Sequence, residues 1–238
     1  MKILILGAGA GPANQDNSVW LAERSGELLV ERLVDACANL DAKLIFAVRN
    51  DDIKRYSIDS VIKIADPAAS IVAITGETLG APCTALLCAH LIEDQEELLI
   101  INGNEFLDAD YLAIVENFRI RNLDAGVACF RSIHPRYSYM LLGEDDLIVE
   151  AAEKRPISRH ATAGFYWFRY GKYFINASQD MIRKDVQIDG KFFISLTFNE
   201  LILSQKRTGI FEVDARHYFP LKSHQQVATY EASHGEEV

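Results

Sequence analysis

The chain of 238 residues holds four cysteines, Cys37, Cys83, Cys88 and Cys129, and no two of them stand at a paired, metal-type spacing. Scattered among apolar neighbours, they read as reduced, buried thiols with no assigned chemistry. Long hydrophobic runs are also missing: none approaches the roughly 20 residues needed to cross a bilayer, so no membrane association is expected. The N-terminal MKILILGAGAG carries one lysine and no small-residue cleavage site. It reads as a first strand rather than a secretion signal, and the expected location is the cytoplasm. Basic clusters are absent as well. With 24 Lys and Arg against 34 Asp and Glu, the formal net charge of −10 would repel a phosphate backbone, which argues against nucleic acid as a partner. Finally, no linker or low-complexity tract interrupts the chain, and its length suits one domain over 1–238.

What is present is a regular alternation. Apolar runs rich in β-formers, KLIFAV (43–48), SIVAIT (70–75) and ELLIIN (97–102), alternate with helical-period stretches such as GELLVERLVDACANL and TALLCAHLIEDQ. Continuous apolar strands need helices on both faces, so residues 1–123 are predicted to form a doubly wound, mostly parallel, three-layer α/β/α unit. In such a unit the ligand lies beyond the carboxyl ends of the strands, and Asn102-Gly103-Asn104-Glu105 falls at that edge. From about residue 124 the texture becomes aromatic: DAGVACFRSI, YSYMLLGEDDLIVEAAE and ATAGFYWFRY predict antiparallel strands, with GEDD as a turn. A helix is expected from about Lys172 to Lys184, then a strand end and helix in KFFISLTFNELILS, then late strands in TGIFEVDARHYF. The polar ASHGEEV tail is expected to fray.

Three segments could carry chemistry. Gly7-Ala8-Gly9-Ala10-Gly11 directly follows a predicted strand, where close glycines let backbone N–H groups approach a phosphate. A dinucleotide fingerprint would open a helix at once, but Pro12 to Asn17 continue as a polar loop; nucleotide capture and a plain tight turn both remain open. Gly76-Glu77-Thr78-Leu79-Gly80-Ala81 is a small-residue turn leading into a helix, able to approach a planar ring. Ala152-Glu153-Lys154-Arg155-Pro156 ends a strand in two cations that could hold a phosphate, although a solvated charged turn is the simpler account of Arg155.

Together these segments resemble the sugar-nucleotide pyrophosphorylase family of nucleotidyltransferases, and more closely its capsule- and surface-glycan cytidylyltransferase branch. The likeness spans nearly the whole chain. Its best stretch runs from SYMLLGEDDLIVEAAEKRPIS through ATAGFYWFRY to FNELI, which match the branch's blocks in order and spacing. The resemblance implies a Rossmann-like, glycosyltransferase A type fold with a mixed central sheet. It further implies joining an NTP to a phosphorylated sugar, with Mg²⁺ as cofactor and release of pyrophosphate. Carried over, Gly7, Ala8, Gly9, Gly11 and Asn102 would bind the nucleotide, with Gly80 and Ala81 against its base. Lys154 would face the acceptor phosphate, and Glu153 would orient it or a sugar hydroxyl. Gly164, Asn199 and Glu200 would shape the acceptor pocket in the 124–238 half, opposite a nucleotide-binding half over 1–123.

Departures from the pattern cluster in one region. Where the family's first loop ends in arginine this chain has Ala13, and Val19 takes the place of the lysine on the phosphates. The strand-end aspartate that binds Mg²⁺ is Asn104 here, and no carboxylate stands in Phe219-Pro220-Leu221-Lys222-Ser223-His224. Glu105, Asp108 or Asp214 could hold a metal instead, but adjacent strand residues face opposite ways, so Glu105 is an awkward substitute for Asn104. Nucleotidyl transfer depends on cations that neutralise developing phosphate charge, and loss of one such group commonly costs about 10²–10³ in rate. Two readings follow. One is a working nucleotidyltransferase for surface-glycan synthesis with a rewired phosphate site. The other is a catalytically silent relative that binds a nucleotide, nucleotide-sugar or phosphosugar, as a homo-oligomer or as regulator or scaffold of an active nucleotidyltransferase. With an amide at Asn104, Mg²⁺ or Mn²⁺ should add little to nucleotide binding; a tight Mg²⁺-dependent NTP complex would speak for the enzyme instead.

Overall fold

The computed structural model describes residues 1–8 and 18–233; Gly9, Gly11, Pro12 and Ala13 of the glycine loop and the tail beyond 233 lie outside these. In chain order the elements are β1 (Lys2–Gly7), the short hairpin β2 (Glu23–Arg24) and β3 (Glu27–Leu28), α1 (Leu29–Ala36), β4 (Lys43–Arg49), α2 (Asn50–Tyr56), α3 (Ile58–Ala65), β5 (Ser70–Ile74), α4 (Ala81–Leu87), β6 (Leu98–Asn102), β7 (Glu105–Leu107), α5 (Tyr111–Ile120), β8 (Ala125–Arg131), β9 (Ser138–Leu142), β10 (Ile148–Glu153), β11 (His160–Phe168), α6 (Gly171–Arg183), α7 (Thr197–Leu203), β12 (Thr208–Val213), β13 (Tyr218–Pro220) and α8 (His224–Ala232).

Alternation along the strands builds the layers. Ile3 and Ile5 of β1 join Phe46, Val48, Leu99 and Ile101 in one core, closed by Leu29 and Leu33 of α1, Ile58 and Ile62 of α3 and Phe118 of α5. Leu4 and Leu6 point the other way, into a second core with Ile45, Ala47, Leu98 and Ile100, closed by Ala85 of α4, Phe174 of α6 and Phe198 of α7. A strand residue can reach only one face, so two cores on opposite residues mean a sheet buried on both sides. The result is a three-layer α/β/α fold with a mixed central sheet, as the alternation predicted.

The parallel part runs β6-β1-β4-β5. β11 pairs antiparallel to β6, and β8 lies on its other side with β12 parallel beyond it. The structure differs from the sequence-based reading in several details, among them α2 and α3, which that reading does not contain. The first helix begins at Leu29 rather than near Gly26, because β2 and β3 form a hairpin around Ser25-Gly26. The chain also forms α8 next to its C-terminus, packed through Val227 and Tyr230.

One irregularity positions the site. On one edge β11 pairs through Phe165–Phe168 with β6, but through His160 and Ala161 with β9. Its register against β8 shifts between Thr162 and Tyr166. The sheet therefore forks: β6 leaves β11 on one side of Gly164 and β9 joins it on the other, which opens a gap at the carboxyl end of β6.

Candidate functional site

A pocket fills that fork. Asn102 and Glu105 line it from the β6–β7 corner, Ser138 and Glu153 from the paired ends of β9 and β10, Thr162 and Tyr166 from β11, and Lys222 from the turn after β13. Arg136 and Tyr137 contribute on one side and Ala81, Phe193, Ile194 and Ser195 on the other.

Glu105 is the acidic group at the strand end, and Asn104 is not. Gly103 and Asn104 form a two-residue turn, so the alternation of a continuous strand is interrupted and Glu105 faces the pocket. The backbone carbonyl of Asn104 accepts the Leu221 N–H at 2.9 Å, and Asn104 is not among the lining residues. Glu105 is buried, forms an ion pair with Lys222 and accepts a hydrogen bond from Asn102 Nδ2 at 3.4 Å. Gly164 makes room for it: with φ +70° it sits in the left-handed region, and a Cβ there would lie 2.5 Å from Glu105 Oε2.

Glu153 is buried on the opposite wall, where its carboxylate accepts hydrogen bonds from Ser138 and, at 3.4 Å, from Ser195. Burial raises its pKa, and the serines and Lys222 only partly oppose that. Burial would pull the Lys222 ammonium down, but the charges of Glu105 and then Glu153 outweigh it, so its pKa is raised. Nearly half of the Lys222 side chain stays accessible at the pocket mouth. The hydroxyls of Thr162 and Tyr166 bond each other at 3.1 Å.

The structure thus brings Asn102, Glu105, Glu153 and Ala81 together around one cavity, with Gly164 behind Glu105. Gly80 sits just behind Ala81, with φ +123° and its backbone bridged to Phe192. Lys154 is placed differently. Its backbone turns into the left-handed region (φ +55°), and its Nζ pairs with Asp189 Oδ2 at 2.6 Å on the exposed rim, over the Phe193 ring. Asn199 and Glu200 also face away from the cavity: the Asn199 amide bonds Ala151 N and O at 2.8 and 2.9 Å, and Glu200 pairs with Lys184 at 2.6 Å. Gly7 lies under Trp20, whose buried indole covers the ends of β1 and β6. Ala8 packs against the second core, and Gly9 and Gly11 lie outside the described residues.

Sequence reasoning missed Lys222, Arg136, Ser138, Thr162 and Ser195. Their approach depends on the sheet fork and on β13 pairing with β7, Pro220 opposite Glu105, and no local motif encodes either feature.

Mg²⁺ demands oxygen ligands, carboxylates above all. Among the described residues no three His, Cys, Asp or Glu side chains cluster in a metal-like group. Asp214 is exposed and bound to Arg216, which holds its carboxyl down at about 2; Asp108 pairs with Arg24 and Arg32. Glu105 faces the pocket but already carries Lys222. As arranged, these residues do not fit a divalent cation.

No protein-family model matches the chain, and no curated protein matches it in sequence. Solved structures do match in fold. A nucleoside-diphosphate-sugar pyrophosphorylase from Vibrio cholerae RC9 superposes with a TM-score of 0.82 at 16% identity, over 98% of this chain and 100% of that one. A Bacillus anthracis protein provisionally named a glucose-1-phosphate thymidylyltransferase, in complex with a sucrose, gives 0.75 at 16% identity over 99% and 97%. HddC from Yersinia pseudotuberculosis complexed with GMP-PN gives 0.65 at 18% identity over 96% and 97%. At such identities the likeness shows the fold, end to end.

Proposed function

We propose that this chain binds a nucleotide-sugar or a phosphorylated sugar in the forked pocket and has little or no nucleotidyl transfer of its own. The observation that carries this reading is the pairing of Glu105 with Lys222 inside a cavity whose other polar lining is the Asn102 amide, hydroxyls, Glu153 and, on one side, Arg136. Carboxylates, amides and hydroxyls are the groups that grip sugar hydroxyls. Transfer, by contrast, needs free cations and a metal around the triphosphate, and residues 8–18 of the glycine-led loop contain no lysine or arginine. Glu153 and Asn102 would hold the sugar, Lys222 its phosphate, and the Gly80-Ala81 turn would border the base. Within a surface-glycan pathway in the cytoplasm such a protein would regulate or scaffold an active nucleotidyltransferase.

The runner-up, a working sugar-phosphate nucleotidyltransferase, is supported by the end-to-end match in fold to pyrophosphorylases. One experiment separates the two: calorimetric titration with NTPs, nucleotide-sugars and sugar phosphates, beside pyrophosphate release from each NTP plus sugar phosphate with Mg²⁺. Binding of a nucleotide-sugar or sugar phosphate that Glu153→Gln weakens, without pyrophosphate release, is expected. Robust release would establish the runner-up, and no binding by any of these compounds would remove both.

A further inference from the structure

β7 and β13, far apart in sequence, are paired here as adjacent strands. Pro220 of β13 lies opposite Glu105 of β7, and Leu221 N–H donates to Asn104 O at 2.9 Å. In that antiparallel ladder Glu105 faces Pro220, so Lys222, two residues further on, is its diagonal neighbour, and the long lysine side chain reaches back to the Glu105 carboxylate. A pair of carboxylates at these positions would repel one another and call for a cation between them. This chain supplies one carboxylate and one ammonium.

We propose that Lys222 is a built-in replacement for the divalent cation: its ammonium, seated on Glu105, provides the positive charge that the anionic end of the ligand meets directly, so the site works without metal. An ammonium carries three donors, and Glu105 accepts from one of them, leaving the accessible face of Lys222 free to donate to a phosphate oxygen. A dication brought to the same carboxylate would face a fixed positive charge at contact distance and would have to displace it. Glu153, on the far wall, adds negative charge that holds the ammonium in place. Asn104 carries no charge and does not line the pocket, and its backbone carbonyl is held in the β13 ladder.

The phosphate half of this inference rests on the function proposed above; the metal half does not, and Mn²⁺ alone tests it. Electron paramagnetic resonance titration should find no Mn²⁺ bound at the pocket of the wild-type protein. Lys222→Ala, which frees Glu105 opposite Glu153, should gain one Mn²⁺ site, and adding Glu105→Gln should remove it. A wild-type Mn²⁺ site abolished by Glu105→Gln alone would overturn the inference, as would a folded Lys222→Ala protein that gains none. The wild-type and Glu105→Gln titrations decide the matter even if Lys222→Ala does not fold. In parallel, glucose 1-phosphate and a nucleotide-sugar should bind equally in EDTA and in Mg²⁺, and Lys222→Ala should weaken them roughly tenfold to a hundredfold. Failure of every phosphorylated probe would defeat the proposed function while the Mn²⁺ titrations still judge Lys222; Mg²⁺-dependent binding in the wild type would defeat the inference.

Discussion

Glu153 shows how one residue sets stability against recognition. Its carboxylate is buried with two serine donors, and burial raises its pKa above the ordinary 4.5. The folded chain therefore holds this proton more tightly than the unfolded chain does. The cost of the charge is fully present above the raised value and fades as pH falls through it toward 4.5. Glu153→Gln should raise the melting temperature at neutral pH, lose that advantage in acid and weaken sugar-ligand binding. A melting temperature that falls at neutral pH would show that the ionised side chain stabilises the fold instead. Gly164 works in the opposite direction, since the gap it leaves is what seats Glu105. Gly164→Ala combines a left-handed backbone with a Cβ 2.5 Å from Glu105 Oε2 and should cost about 1–3 kcal/mol in denaturant unfolding, together with loss of ligand binding. Unchanged stability would mean that β11 relaxes freely at its bulge.

Among the elements, α7 matters to the site without entering it. Asn199 spends its amide on both backbone groups of Ala151 in β10, an interior residue of the strand whose last residue is Glu153. Asn199→Ala leaves a buried N–H and a buried C=O without partners and should destabilise the fold by about 2–4 kcal/mol by urea titration. Lys184–Glu200, half exposed on one side, should matter far less. A stability loss under about 0.5 kcal/mol for Asn199→Ala would mean that water replaces the amide. The sequence made the main strands and the helices α1, α4, α6 and α7 legible because strand and helix periods differ and turn residues separate them. It did not reveal α2, a short polar helix with no buried residue, the short α3, or the mostly polar α8, or that Asn199 serves a backbone rather than a ligand. Glu105 was misjudged for a related reason: alternation assigns faces only inside a strand, and the Gly103-Asn104 turn resets it. Lys222 was invisible because its function depends on a ladder between segments distant in sequence.

At the scale of the whole molecule, the hairpin over residues 23–28 and the C-terminal segment close on one another, and this closure places Lys222. Arg24, on the hairpin that follows the glycine-led loop, is buried beneath the C-terminal segment. Its guanidinium lies 4.5 Å from the Phe219 ring centroid and 5.5 Å from that of Tyr230, and its Nε donates to Ser233 O at 3.0 Å. Phe106 of β7 meets the rings of both Phe219 and Tyr230, so β7, β13, α8 and the hairpin form one aromatic cluster, with Arg24 against Phe219 and Tyr230 and Arg32 of α1 over Phe106 at 5.3 Å. A flat guanidinium can stack on a ring and donate in its plane at once, which an ammonium cannot. Arg24→Ala should therefore cost about 2–4 kcal/mol, and Arg24→Lys should recover less than half of that. The informative measurement is local. Amide exchange should accelerate across residues 218–232 before the parallel strands β1, β4 and β6 respond: the segment shares one core with those strands, but their other face is buried in a second core that the segment does not enter. Since Lys222 lies within that segment, affinity for a phosphorylated probe should fall in the same variant although Arg24 does not line the pocket. If exchange across 218–232 stays as slow as in the wild type, the β7–β13 ladder holds the segment unaided and Arg24 has no part in presenting Lys222.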